Sequence, residues 1–180
     1  MADKKIYGAI ARFSSPEALL EAAGAMRGKG FTKLDANTPF PVHGIDEALG
    51  IKSSRLGYFV FAGGLAGCAI GVLLPWWTGT IAYPLVIGGK PLFAWEFSMP
   101  IIFELTVLVA AFAAVGGMLA LNGLPRFYHP VFNYDGFRGA SNDKFFLTVE
   151  AKDPLFSAKE VTDTLEGFGA EEAVLVEEDE

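Results

Sequence analysis

Two stretches of this chain are too long and too apolar for ordinary core helices. Gly57 to Pro75 reads GYFVFAGGLAGCAIGVLLP, without a single acid or base. At about 1.5 Å per residue it reaches roughly 28 Å, close to the hydrocarbon thickness of a bilayer. Pro100 to Leu121 reads PIIFELTVLVAAFAAVGGMLAL and is interrupted by one carboxylate, Glu104. Aromatic residues flank both stretches: Tyr58, Phe59, Trp76 and Trp77 at the first, Trp95, Phe97, Phe127 and Tyr128 at the second. Aromatic rings favour the headgroup zone, so these positions predict membrane boundaries. The expected centre of the chain, residues 57–123, is a two-helix transmembrane hairpin with spans at about 57–76 and 100–122.

What flanks the hairpin is soluble in composition and uneven in charge. Residues 1–56 balance at +2 and residues 124–180 at −8, so the net charge of −7 comes from the C-terminal segment. An acidic surface repels a phosphate backbone, which argues against nucleic acid as a partner. The one cysteine, Cys68, lies inside the first apolar stretch. A single thiol excludes a disulfide framework, a cysteine-bound iron–sulfur cluster and a C-x-x-C-H haem attachment. The opening MADKKIYGAIARF lacks the apolar run of a signal peptide, so the first span is expected to serve as the insertion signal.

Orientation follows from the cations nearest the spans. Lys52 and Arg55 precede the first, and Arg126 and Arg138 follow the second, whereas the connecting residues 76–99 hold only Lys90. The expectation is a membrane protein with both termini cytoplasmic and the short loop periplasmic or external.

The flanks repeat one pattern. Residues 6–13 (IYGAIARF) read as a strand. Ser14 or Ser15 then supplies a helix N-cap, with Pro16 and Glu17 suited to the first turn. Leu19, Ala23 and Met26 share one helical face, Gly28 and Gly30 stop the helix, and Phe31 to Ala36 alternates as a second strand. Lys144 to Ala151 reads as a strand with Phe145, Leu147 and Val149 on one face. Ser157 and Glu160 have capping-box spacing, Val161, Leu165 and Phe168 form a helical stripe, and Gly167 or Gly169 ends the helix. Glu172 to Glu177 is a last strand before a solvated acidic tail. Two βαβ halves predict a ferredoxin-like cytoplasmic domain, with the hairpin inserted where the second strand would connect to the third. The alternative is two separate lobes, each docked on a different neighbour.

Two connectors, Asn37 to Gly57 and Leu124 to Asp143, mix Pro, Gly and aromatics with one histidine each. They are expected to resist regular structure but to lie pinned against protein. Candidate partner contacts in them are Pro39, Phe40, Pro41, His43, Asp46, Arg126, His129 and Pro130. Neither histidine lies within a span, where an axial ligand of a membrane haem would come from, so packing or hydrogen bonding is the plainer role. In the first span Gly63, Gly67 and Gly71 recur at every fourth residue, and the second offers Ala113 and Gly117. Small residues at this spacing predict close helix contact, either within the hairpin or against another subunit. Glu104 is a candidate proton relay or interface carboxylate, expected about four residues, or roughly 6 Å, inside the boundary at Pro100. No nucleophile–base set, phosphate loop or metal-spaced cluster is readable, so catalytic, cofactor and metal residues are all expected to be absent.

Thr38-Pro39-Phe40 followed by PVHGIDEALG at Pro41 to Gly50, PIIFEL at Pro100 to Leu105, and LPRFYHPVF at Leu124 to Phe132 resemble the ActD-type small membrane subunit of bacterial alternative complex III. The likeness takes in nearly the whole chain, and TPFPVHGID is its most specific part. The resemblance implies an accessory, non-catalytic subunit of a respiratory quinol-oxidising complex of the bacterial inner membrane. Its partners would be polytopic quinol-binding, iron–sulfur and haem c subunits, and it would bind no redox cofactor itself. Two rival readings remain from the residues: a membrane-anchored ligand-sensing module, and a small transporter or channel subunit.

Overall fold

A run of small and apolar residues with no polar alternation suits a strand that is buried on both faces. In the computed structural model, which describes residues 5–178, that run forms β1 (Lys5–Phe13). Its Ala9, Ile10, Ala11 and Phe13 are fully buried. β1 pairs antiparallel with both β3 (Phe145–Glu150) and β4 (Glu172–Glu178), while β2 (Leu34–Asn37) pairs antiparallel with β3. The sheet order is β2-β3-β1-β4. A strand from the N-terminal flank therefore lies between two from the C-terminal flank. The flanks make one sheet, not two lobes. Asp179 and Glu180 of the acidic tail lie outside the described residues.

The described residues fold as two compact units, 5–52 with 127–178, and Ser53–Arg126. In the first, α1 (Pro16–Gly28) and α5 (Ala158–Gly167) cover one face of the sheet. Leu19, Ala22, Ala23, Met26, Val161 and Leu165 pack there on Ala9, Phe13, Leu147 and Val149. The other face is closed by two 3-10 turns, Pro130–Asn133 and Asp135–Ser141, which set Val131 and Phe137 on Ile10, Phe146 and Val176.

The two helix starts behave differently. Ser15 accepts a hydrogen bond from the Ala18 N–H at 3.2 Å, with Pro16 at the first helical position. Ser157 also occupies an N-cap, but its side chain makes no cap bond, so the expected capping box is not formed. We predict that Ser15→Ala costs about 1 kcal/mol of stability, a typical N-cap value, whereas Ser157→Ala is near neutral. Thermal unfolding of the two variants measures this directly, and equal losses would contradict it.

β2 begins three residues later than its alternation suggests. The Thr32 and Lys33 N–H groups are drawn to the Asp153 carboxylate, and Phe31 N–H bonds back to Met26 at the end of α1. Both connectors are also more regular than expected. Gly44 and Gly50, at φ of 87° and 68°, bracket a short helix α2 (Ile45–Leu49). Leu49 is buried, and Val42, Ile45 and Ala48 pack on the same core. The second connector supplies the two 3-10 turns. Apolar residues in each had somewhere to pack, and packing imposed a turn.

In the second unit, α3 (Leu56–Trp77) runs on into a π turn at Thr78–Ala82, and α4 spans Trp95–Leu121. Both are long and apolar enough to cross a membrane. The Leu74 and Pro75 carbonyls near the end of α3 accept from the Thr78 N–H, and side-chain hydroxyls add further donors. The Thr78 hydroxyl donates to Leu74 and Pro75 carbonyls, and Thr80 donates to Trp76 at 2.6 Å. α4 starts five residues before Pro100, the boundary read from the sequence. In the loop between the helices, the Lys90 ammonium lies 4.2 Å from the centre of the Phe97 ring.

Candidate functional site

Glycine removes the side chain that normally keeps two helices apart, and α3 uses this on one face. A Cβ on Gly63 would lie 3.0 Å from the Val109 carbonyl oxygen. One on Gly67 would lie 2.9 Å from Thr106 Cα, and one on Gly71 2.7 Å from Ile102 Cα. All three are closer than real Cβ contacts, so backbone meets backbone along the pair. Ala113 faces Gly63, and the buried Gly117 lies under Leu56 and Phe59. Residue numbers rise along α3 as they fall along α4, so the helices run antiparallel. The small residues read from the sequence are brought together as one contact surface.

Glu104 is not on that surface. The α4 residues that lie against the α3 glycines are Ile102, Leu105, Thr106, Val109, Ala110 and Ala113, and Gly117 meets Leu56 and Phe59. At about 100° per residue, Glu104 points roughly 180° away from their mean direction. It is exposed, beside Phe103, Val107, Leu108 and Ala111, which with it line a shallow hollow of about 510 Å³. Its level along the helix pair follows from the same contacts. Gly71 meets Ile102 and Gly67 meets Thr106, so Glu104 is level with residues 68–70 of α3. That level is about eight residues, or roughly 12 Å along the helix, from Trp77.

The expected contact loops divide into two groups. Phe40 stacks edge-on against Phe145 with centroids 5.4 Å apart, yet remains half-exposed. Pro41, His43 and Asp46 are exposed along one loop, Arg126 is exposed, and Pro39 is half-buried. His129 and Pro130 turn inward instead. The Val131 N–H donates to His129 Nδ1 at 3.4 Å, which leaves the proton of the neutral ring on Nε2, 3.3 Å from the Tyr7 hydroxyl. Pro130 is buried in the turn that follows. These two serve the sheet's second face.

The most tightly held polar group is one that sequence reasoning missed. Asp153 is 4% exposed and accepts from the N–H groups of Thr32, Lys33 and Leu155 at 2.7, 2.8 and 3.0 Å, and from the Thr32 hydroxyl. Burial pushes its carboxyl up, but the backbone donors from Leu155, Thr32 and Lys33 outweigh that and hold it below the ordinary carboxylate value. The Asp153-Pro154 pair was the available signal, because such a dipeptide favours a turn. On the surface, Arg12 and Lys144 share the Glu171 carboxylate, and Arg12 also reaches Glu172. Tyr134 donates to Glu172; burial and that neighbouring carboxylate raise its phenol to about 12. Among the described residues, no group of histidine, cysteine and carboxylate side chains is placed to hold a metal ion.

A family model for the ActD subunit of alternative complex III matches residues 7–174. The chain belongs to the ActD family. No curated protein matches it closely enough to add a second comparison. The matched stretch of this ActD chain begins in β1, takes in both apolar helices and ends in β4, so it covers both structural units. TPFPVHGID, PIIFEL and LPRFYHPVF all lie inside it. This ActD chain is therefore placed among the subunits of a respiratory membrane complex.

Proposed function

We propose that the chain is a non-catalytic accessory subunit that stabilises the membrane core and cytoplasmic face of alternative complex III. The observation that carries this reading is the family match across both units, joined to a helix pair whose outer faces are left exposed. Leu65, Phe61, Phe103 and Phe112 are all more than half-exposed, surface that lipid or neighbouring helices would cover. The soluble unit acts as a ferredoxin-like domain into which the transmembrane hairpin is inserted between β2 and β3. Its strand order supports that description.

A single sheet drawing strands from both flanks supports one further point. Both flanks must lie on the same side of the membrane, which an even number of spans satisfies. Lys52, Arg55, Arg126 and Arg138 favour the cytoplasmic side of the inner membrane. The chain itself binds no redox cofactor; quinol, haem c and iron–sulfur clusters belong to polytopic and soluble partner subunits. Exposed Pro41, His43, Asp46 and Arg126 contact those partners, and Glu104 either bonds a neighbour or carries a proton during turnover.

The test is mild detergent extraction of the tagged chain from native membranes, followed by visible spectra and mass spectrometry. Copurifying haem c absorption with iron–sulfur and polytopic subunits is the expected result. A colourless chain without partners would sink the reading.

A further inference from the structure

The Glu104 carboxylate poses a problem that nothing among the described residues solves. It points away from α3, and no hydrogen bond or ion pair to it is made among the described residues. Its level, about 12 Å inside Trp77, is more than two helical turns from the aromatic boundary. A glutamate side chain spans less than one turn of about 5.4 Å, so it cannot reach headgroups by extending along the helix. A carboxyl at that depth is costly unless a partner meets it.

The surroundings say what kind of partner fits. Glu104, Val107, Leu108 and Ala111 fall at i, i+3, i+4 and i+7, the stripe along which one helix packs on another. Phe103, 70% exposed, stands at one side, and the small Ala111 at the far end permits close approach. Apart from Glu104, the hollow is lined only by apolar side chains and alanine. In hydrocarbon, an occupant must satisfy its own backbone, which a helix does.

We propose that this face of α4 seats a membrane-spanning helix of another subunit, and that this helix brings a hydrogen-bond donor side chain to Glu104. The proposal rests on the accessory-subunit reading and adds the face, the level and the chemistry of the contact. Acyl chains offer no donor. A donor on the neighbouring helix satisfies the carboxyl and, by needing it, fixes the register of the two helices. Apolar contact alone would leave that register loose.

The assay uses the assembled complex in native membranes. A photoreactive residue in place of Val107 leaves Glu104 intact. Irradiation is expected to join it to a transmembrane segment of one partner subunit, at a position within one turn of a donor side chain. Labelling of lipid alone, or of quinone, in a complex that still copurifies would overturn the proposal and leave the subunit reading standing. Failure of the chain to copurify at all would remove both. The second arm is a double-variant cycle. Glu104→Leu is expected to lower retention of the chain about three- to tenfold, the usual range for a polar contact between membrane helices. Replacing the identified donor by leucine should do the same, and the two together should recover most of the loss, since neither group is then orphaned. Losses that simply multiply would overturn the contact. Glu104→Gln, which keeps an acceptor, should retain the chain better than Glu104→Leu.

Discussion

Gly67→Leu is expected to force α3 and α4 apart and to abolish incorporation of the chain into its complex. The first carbon of any side chain at Gly67 already lies 2.9 Å from Thr106 Cα, and the obstacle is backbone rather than a mobile side-chain tip. Neither helix can yield locally without breaking its own ladder, so the whole pair must separate. Even Gly67→Ala should cost about 1–3 kcal/mol, the usual range for overpacking, and leucine more. Gly116→Ala is the control within the same hairpin, because nothing in the chain lies within 4 Å of a Cβ there. Helix propensity favours alanine by about 1 kcal/mol in a helix interior, so the isolated chain should tolerate or gain from that change. Thermal unfolding in detergent, together with the amount of chain retained in the complex, separates the two. Similar behaviour of Gly67→Ala and Gly116→Ala would disprove the backbone contact.

Asp153→Ala is expected to be the most damaging single change in the soluble unit. It strands the three N–H groups of Thr32, Lys33 and Leu155 that now end on one carboxylate. Hydrogen bonds to a charged group contribute about 1.5–3 kcal/mol and an unsatisfied buried donor costs about 1–3, so a total loss of roughly 3–4 kcal/mol follows. Asn at this site keeps one acceptor oxygen where two are used, and should fall between wild type and alanine. The pH dependence has a definite sign. The folded carboxyl is held below its ordinary value of 3.8, so its contribution is complete above that pH. As pH falls through the lower folded value the contribution disappears. Melting curves of wild type and Asp153→Asn should therefore converge below about pH 4 and stay apart at neutral pH. A gap that persists unchanged into acid would remove Asp153 from this role.

The parts of the fold that could be read from sequence are those in which neighbouring residues carry the signal. Ser15-Pro16 marks a helix start through its own hydroxyl and its own fixed φ. The every-fourth-residue glycines of α3 mark a contact face because helical geometry alone brings them together. Asp153-Pro154 marks a turn by the same logic but not its partners: Thr32 and Lys33 lie about 120 residues away, and their N–H groups carry no side-chain signature. The start of β2 moved for that reason. Ser157 shows the opposite failure, a correct local pattern without the bond. Glu104 is legible as an ionisable residue within an apolar stretch, but the start of its helix is not, because Pro100 stands where that stretch begins. Proline is tolerated inside a membrane helix, and α4 simply continues through it to Trp95.

The position of β1 also governs the order in which this chain can be made. Its two ladder partners begin at Phe145 and Glu172, so neither exists when β1 leaves the ribosome. At about 5–20 residues per second, synthesis of the intervening chain takes on the order of ten seconds. Throughout that interval β1, with its apolar side chains, has no strand on either side. Both hydrophobic helices emerge within the same window and must be handed to the insertion machinery. The sheet can close only after that hand-over, and only if both flanks have been left in the same compartment. Sheet closure is thus the last event in the making of this chain, fixed by the order of the strands.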